Sequence, residues 1–288
     1  MSTVAAFFKD TCATLASVLG SKAEGEAAAR IIFEDVAGYD RKFLFINGDR
    51  TLTDFMTDRI NDAVDRVRRG EPVQYAVGKA QFMGNDFEVN TSVLIPRPET
   101  AGLVDMIVND FNGRTDLDIA DLGTGSGCIA ISLARALPFS HVTGIDNSAE
   151  ALKVARDNSE ALHQPVEWLQ ADILKLQAPS APLFDIIVSN PPYVCLSERA
   201  EMDPRVLNYE PTAALFVPDD NPLLFYRAIA RYAKGALRPG GRLYFEINQK
   251  FPREMRSLLE DAGFEDVDVI RDYKGNYRYA TATQPSAS

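Results

Sequence analysis

Apolar side chains in residues 1–70 recur at intervals of three and four, the spacing that gathers them on one face of a helix. Val4, Phe7, Phe8, Cys12, Leu15 and Leu19 mark a first helix, and the alanine-rich stretch from Ala23 to Val36, carrying Ile31 and Ile32, marks a second. Phe55, Met56, Ile60, Ala63, Val64 and Val67 mark a third, with Thr53 as its N-cap. It stops at Gly70, and Pro72 cannot extend it. Amphipathic segments of this kind predict a small helical bundle. The period then changes. Gln81-Phe82-Met83 and Phe87-Glu88-Val89 flank Gly84-Asn85-Asp86, which predicts a β-hairpin turning over the middle three residues. Leu94-Ile95-Pro96-Arg97-Pro98-Glu99-Thr100 holds two prolines and reads as a stiff extended segment, followed by a helix from Ala101 to Phe111.

From residue 117 the pattern alternates. Strands are predicted over residues 117–122, 141–146, 166–171, 184–189 and 242–247, and helices over 129–137, 149–162 and 222–237. Repeated βα units imply an α/β fold, a mostly parallel sheet with helices on both faces. Trp168, in mid-strand, is assigned to the core, and residues 283–288 read as a frayed tail. The expected organisation is a helical domain over residues 1–73, a hairpin and proline-rich linker over 74–100, and the α/β domain over 101–288.

Composition removes several classes of function. The 288 residues are 46% hydrophobic and 25% charged, ordinary for a globular protein. A net charge of −11 argues against a grip on long nucleic acid, which leaves a basic footprint. Arg66, Arg68 and Arg69 form the one dense basic cluster, at a predicted helix end where arginine also complements the dipole. Cys12, Cys128 and Cys195 are scattered and odd in number, which speaks against a disulfide framework or a thiolate metal site, and two histidines, His141 and His163, make neither a metal cluster nor a triad. No metal is expected. The first twenty residues carry Lys9 and Asp10 in their middle and read as neither a secretory leader nor a membrane span, so the cytoplasm is the expected location. No long heptad run stands out, and a monomer is expected.

Two motifs carry chemistry. Asp121-Leu122-Gly123-Thr124-Gly125-Ser126-Gly127 stands where a strand gives way to a helix. Glycines there let the backbone turn tightly and approach a ligand closely. At the end of the next strand Asp146 offers a carboxylate to the two hydroxyls of a ribose. The spacing departs from the dinucleotide fingerprint, whose third glycine position holds Cys128, and Asp121 would repel a pyrophosphate but suit the ammonium of a methionine moiety. The loop therefore favours S-adenosylmethionine (SAM) over NAD. Asp172, at the third strand end, is a candidate acceptor for the adenine amino group, with Ile173 against the ring.

The second motif, Asn190-Pro191-Pro192-Tyr193, follows an apolar strand. Carboxyl ends of strands form the ligand crevice of open α/β sheets. Prolines stiffen the loop, and the Asn190 Oδ1 and the Pro191 carbonyl can each accept one N–H of a planar amino group. Tyr193 is expected to stack on that group. This combination points to methyl transfer onto an amide or amino nitrogen.

The two motifs together resemble class I SAM-dependent amino-group methyltransferases. The stretch Gln74-Tyr75, Gly78, Phe82, Gly84, Phe87, Val89 and Leu94 to Thr100 is similar to the peptide chain release factor glutamine methyltransferases, the PrmC/HemK family, as are Glu210-Pro211, Ala214-Leu215-Phe216 and Arg271-Asp272-Tyr273. The resemblance implies a Rossmann-like domain with a seven-stranded sheet, an N-terminal helical domain that contacts the release factor, and a hairpin linker. It implies methylation of N5 of the glutamine in the Gly-Gly-Gln tripeptide of class 1 release factors, with S-adenosylhomocysteine as product. Gly123, Thr124, Gly125, Ser126, Gly127, Asp146, Ile173 and Asn190 would hold SAM; Asn190 to Tyr193 would hold the glutamine, with Leu94, Pro96 and Arg97 of the proline-rich segment on the substrate side. Two departures stand out: Asn248 follows Glu246-Ile247 where the family often has glycine, and residues 217–222 lack a usual glycine. Both are expected to lie away from the grip on the amide. The alternatives are a ribosomal-protein glutamine methyltransferase, a DNA-adenine N6 methyltransferase, which should show basic clusters, and a SAM-binding scaffold without catalysis.

Overall fold

The computed structural model describes residues 2–286. Its contacts divide the chain into two units, one running to Ala80 and including Val89–Thr91 and Asp203–Tyr209, the other formed by Gln81–Glu88, Ser92–Met202 and the chain from Glu210 onward.

The first unit is helical. It contains α1 (Val4–Leu19), α2 (Lys22–Ala37), α3 (Arg41–Ile46), α4 (Asp54–Arg68) and α5 (Val73–Val77). Thr3, Ser21, Asp40 and Thr53 each accept a backbone N–H from the first turn of α1 to α4, so the expected cap at Thr53 is present along with three others. Val4, Leu15, Ile32, Phe33, Ile60 and Val67 form the core, with Phe7, Phe8, Cys12 and Leu19 packed around it. Helices α1 and α2 approach closely at Gly25, where a Cβ would lie 2.4 Å from the Ala16 backbone nitrogen. Arg66, in the basic cluster at the end of α4, does more than complement the helix dipole. Its guanidinium donates to Glu71 at 2.6 and 2.7 Å and to the carbonyls of Tyr75 and Ala76, stitching α5 to α4. A short helix from much later in the chain, Pro204–Tyr209, joins this unit: the Tyr209 hydroxyl donates to the Arg69 carbonyl.

The hairpin pairs β1 (Lys79–Phe82) with β2 (Asn85–Glu88). Its turn is tighter than expected. Met83 and Gly84 alone make it, both with positive φ (48° and 73°), the backbone of a two-residue turn whose twist matches its strands. Phe82 and Phe87 meet edge to face beneath it. The next helix, α6 (Pro98–Asp110), starts three residues earlier than predicted. Pro98 occupies its first position, where a missing N–H costs nothing, so the second proline begins the helix and places Thr100 in its first turn.

The second unit continues as β3 (Asp118–Leu122), α7 (Cys128–Ala136), β4 (His141–Asp146), α8 (Ala149–Ala161), β5 (Glu167–Gln170), β6 (Phe184–Ser189), β7 (Val194–Cys195), β8 (Phe216–Val217), α10 (Leu224–Ala236), β9 (Leu237–Glu246), α11 (Pro252–Asp261), β10 (Glu265–Arg271) and β11 (Tyr277–Thr283), while α9 (Pro204–Tyr209), between β7 and β8 in the chain, belongs to the first unit. Seven of these strands form one sheet in the order β10-β11-β9-β6-β3-β4-β5, with β11 antiparallel to both neighbours and the strands from β9 to β5 parallel. Alternation along β3, β6 and β9 sends Ala120, Ile187, Leu243 and Phe245 to the core under α10 and α11, and Ile119, Ile186, Val188 and Tyr244 to the core under α6 and α7. Burial on both faces explains the nearly continuous apolar runs. The chain end is less frayed than expected: Thr283 closes β11 and the Gln284 N–H donates to the Gly241 carbonyl, while Ala287 and Ser288 lie outside the described residues. Among the described residues no helix is long and apolar enough to cross a membrane.

Replacing Gly25 by alanine forces a methyl group onto the Ala16 backbone, which cannot rotate away. The expected loss is about 1–3 kcal/mol, read as a lower denaturant midpoint for the helical unit.

Candidate active site

Strands β3 and β6 are neighbours, but the chain leaves β3 toward β4 on one side and leaves β6 toward β9 on the other. Such a reversal opens a crevice at the carboxyl edge of the sheet. The Ser189 hydroxyl at the end of β6 donates to the Leu122 carbonyl at the end of β3 (2.5 Å) and pins the two strand ends together. The crevice is a cavity of about 400 Å³, in the range of small-ligand pockets, roughly 300–1,000 Å³.

Gly123, Thr124, Gly125 and Ser126 line this cavity, with Asp146, Asp172 and Ile173. Gly123, Gly125 and Gly127 all have positive φ (78°, 55° and 80°), and no atom lies within 4 Å of a Cβ built on Gly125. The loop is held from within. The N–H groups of Gly123 and Thr124 donate to the Ile145 carbonyl, and the Gly125 N–H donates to Asp146 Oδ2 at 2.9 Å. Asn158, which the sequence did not single out, donates to the Ser126 carbonyl and exchanges two hydrogen bonds with the Glu88 backbone, tying the loop to the hairpin. Its signal was a buried asparagine inside an amphipathic helix. Gly127 does not line the cavity; a Cβ there would meet the Trp168 ring at 2.9 Å. Trp168 packs against the core as expected.

Asp121 is fully buried below the loop rather than on the cavity wall. Its Oδ2 accepts from the Thr124 hydroxyl (2.6 Å) and the Ala130 N–H, while Oδ1 has no partner. Burial pushes its carboxyl up to about 7, against the pull of those two hydrogen bonds. Asp172 caps the short turn after β5 through the Leu174 N–H and pairs with Lys175, which holds its carboxyl below the usual range.

The Asn190 loop faces the glycine loop. Asn190 and Pro192 line the cavity, as do Leu94, Pro96, Arg97 and Thr100 from the proline-rich segment and α6. Asn190 Nδ2 donates to the Thr100 hydroxyl (3.2 Å), which donates to Glu246 Oε2 (2.7 Å). Tyr193 differs from its expected role. It does not line the cavity; its ring packs on the core under α10, and its hydroxyl donates to Glu246 Oε1 at 3.0 Å. Pro191 is buried and outside the lining. Arg97 pairs with the buried Glu210 at 2.5 Å, and Glu210 also accepts the Ile95 N–H, so this arginine braces its own segment. Nor does Asn248 lie away from the motif. Its Nδ2 donates to the Tyr193 carbonyl and to Glu198, both at 2.9 Å, behind the loop. Residues 217–222 do lie apart, with Asp219 accepting from the Ser197 backbone and hydroxyl.

A raised carboxyl at Asp121 has a definite sign for stability. The folded protein keeps a proton that the unfolded chain has lost, so the contribution of Asp121 to stability is full below about 4 and is lost as pH rises through about 7. Denaturant titrations of ligand-free protein at pH 5.5 and 7.5, compared with Asp121→Asn, should show wild type losing about 2 kcal/mol more than the variant over that interval.

Comparison with known proteins agrees with this geometry. The methyltransferase small domain family matches residues 100–205, and the PrmC N-terminal domain family matches residues 11–78. The release factor glutamine methyltransferase of Bacteroides thetaiotaomicron is 44% identical, over 91% of this chain and 93% of its own. That of Flavobacterium psychrophilum is 40% identical, over 92% and 93%. A methyltransferase structure from Pyrococcus furiosus, 18% identical, superposes with a TM-score of 0.51 over 77% of this chain and 97% of that one, a likeness of fold. With relatives this similar along nearly its whole length, the chain belongs to the release factor glutamine methyltransferase family.

Proposed function

We propose that the protein transfers a methyl group from SAM to N5 of the glutamine in the Gly-Gly-Gln tripeptide of a class 1 peptide chain release factor. The observation that carries this reading is the Asn190 amide on the cavity wall, its nitrogen spent on Thr100 and its oxygen left to accept, across from a glycine loop shaped for an adenosyl ligand.

The residues fit the cofactor. Asp121 Oδ1 is a buried acceptor without a donor, a mate for the ammonium of a methionine moiety. Asp146 uses one lone pair on each oxygen for the Gly125 and Ser148 N–H groups, which leaves acceptor capacity for ribose hydroxyls. Ile173, beside the glycine loop, and Asp172 would flank the adenine. Bound SAM supplies an electrophilic methyl group. The protein's part is to hold the acceptor amide: Asn190 Oδ1 and the Pro191 carbonyl each take one N–H, which raises electron density on the nitrogen and fixes its direction. Leu94 and Pro96 would enclose the glutamine chain. Tyr193 serves as an anchor of the loop. The proton leaves after transfer, so no side-chain base is required at the nitrogen. A release-factor substrate places the reaction in the cytoplasm, and we expect a monomer to suffice.

Labelled SAM should mark an intact class 1 release factor, should not mark the same factor with Gln→Ala in its Gly-Gly-Gln loop, and should not mark duplex DNA. Mass spectrometry should find one added methyl group on the glutamine peptide. Label on DNA would move the reading to an adenine enzyme, and label on the Gln→Ala factor would place the acceptor elsewhere. In Asn190→Ala, kcat should fall roughly 100-fold or more while SAM affinity stays within about twofold; joint loss of both would contradict the assigned role.

A further inference from the structure

An asparagine side chain that must accept a hydrogen bond from its substrate has a problem of polarity. Rotated by half a turn, the same amide presents two donors in place of an acceptor, at nearly the same shape. In this protein a chain of buried groups settles the direction. Thr100 is 2% exposed and Glu246 1% exposed. Glu246 accepts on both oxygens, Oε2 from Thr100 at 2.7 Å and Oε1 from Tyr193 at 3.0 Å. A hydroxyl carries one proton. With that proton committed to Glu246, the Thr100 oxygen can only accept, and the group opposite it must be a donor. That donor is Asn190 Nδ2, at 3.2 Å. Oδ1 is thereby turned to the other side, and Asn190 lines the cavity.

We propose that Thr100 and Glu246 are positioning residues that fix the polarity of Asn190, so that it meets the incoming glutamine as an acceptor. The inference rests on the methyl-transfer reading and adds to it the source of the amide's orientation. Glu246 lies outside the cavity lining and acts through Thr100, whose hydroxyl is engaged by Asn190 and Glu246. Their effect is a pre-set acceptor: a reversed amide would set its own N–H groups against those of the glutamine and leave both sets unpaired. The arrangement also accounts for a carboxylate kept in the buried interior. Glu246 ends β9, the strand beside β6, so its side chain reaches the base of the Asn190 loop from the sheet itself, and Tyr226 fixes the strand end by donating to the Glu246 carbonyl at 3.0 Å. Rigid strands hold such a group more closely than a loop could.

Thr100→Val keeps the shape and removes the hydroxyl, Thr100→Ser keeps the hydroxyl, and Tyr244→Phe removes a hydrogen bond to Asp110 from the same strand as Glu246 without touching the chain of groups. Full-length variants are assayed with SAM and an intact class 1 release factor, and SAM affinity and melting temperature are measured alongside. Thr100→Val should lower kcat about 10- to 100-fold with SAM affinity within about twofold. Thr100→Ser should recover to within about threefold of wild type, and Tyr244→Phe should keep kcat at a comparable loss of melting temperature. Equal kcat in Thr100→Val and wild type would overturn the proposal, as would equal losses in Thr100→Val and Thr100→Ser, or a loss in Tyr244→Phe as large as in Thr100→Val. If Thr100→Val does not fold, Glu246→Gln decides: its amide can donate to Thr100 and free the amide of Asn190 to turn, so an unchanged kcat there would also overturn it. A wild-type enzyme that marks no release factor would sink the methyl-transfer reading, whereas an active wild type with an indifferent Thr100→Val would sink this inference alone.

Discussion

The reversal of chain direction between β3 and β6 governs the rest of this structure. Two adjacent parallel strands cannot both be followed to the same side without filling the space above their ends, and here they are followed to opposite sides. The cavity, the convergence of the glycine loop with the Asn190 loop, and the burial of both strands under helices on each face all descend from that topology. The Ser189 hydroxyl on the Leu122 carbonyl makes the constraint local, since it ties the loops' two starting points at 2.5 Å. What each loop can do is then a matter of a few side chains.

Those side chains include two buried carboxylates, and they are handled differently. Asp121 has one satisfied oxygen and one unsatisfied oxygen, and burial raises its carboxyl to about 7. A group left in that state costs stability in the empty protein, as expected where a cationic ligand group is to be received. Glu246 is also raised by burial, but hydrogen bonds from Thr100 and Tyr193 and the nearby Arg278 oppose the shift. It accepts on both oxygens and needs nothing from a ligand. An incomplete carboxylate suits binding, and a complete one suits orientation.

The sequence disclosed the elements and both motifs because each is local. Period, glycine spacing and proline placement are properties of short stretches, so the helical unit, the βα alternation, Asp146 and Asn190 were all readable. Errors arose where position depends on a partner. Met83 in a positive-φ turn has no signature of its own, and Pro98 reads as a breaker until its place at a helix start is known. Tyr193 looked like a stacking group because Asn190, in the same motif, faces the cavity; the acceptor that draws it away, Glu246, lies 53 residues further on. Thr100 and Asn190 are 90 residues apart, and no spacing rule connects them. The one available clue was energetic. A glutamate closing an apolar strand must find donors, and that demand was legible without their identity.

Asn248 shows how a departure from a family pattern can be absorbed. A glycine at that position could offer no side chain, whereas Asn248 is buried and holds the Tyr193 carbonyl from behind while gripping Glu198. The motif is therefore fastened at both ends, at Asn190 through Thr100 and at Tyr193 through Asn248 and Glu246, with two prolines of fixed φ between. A loop held in this way has little conformational freedom left to lose when a substrate arrives, so the cost of ordering it has been met in folding. The asparagine adds a second fastening beside the hydrogen bond from Tyr193 to Glu246, and it does so without adding anything to the cavity wall.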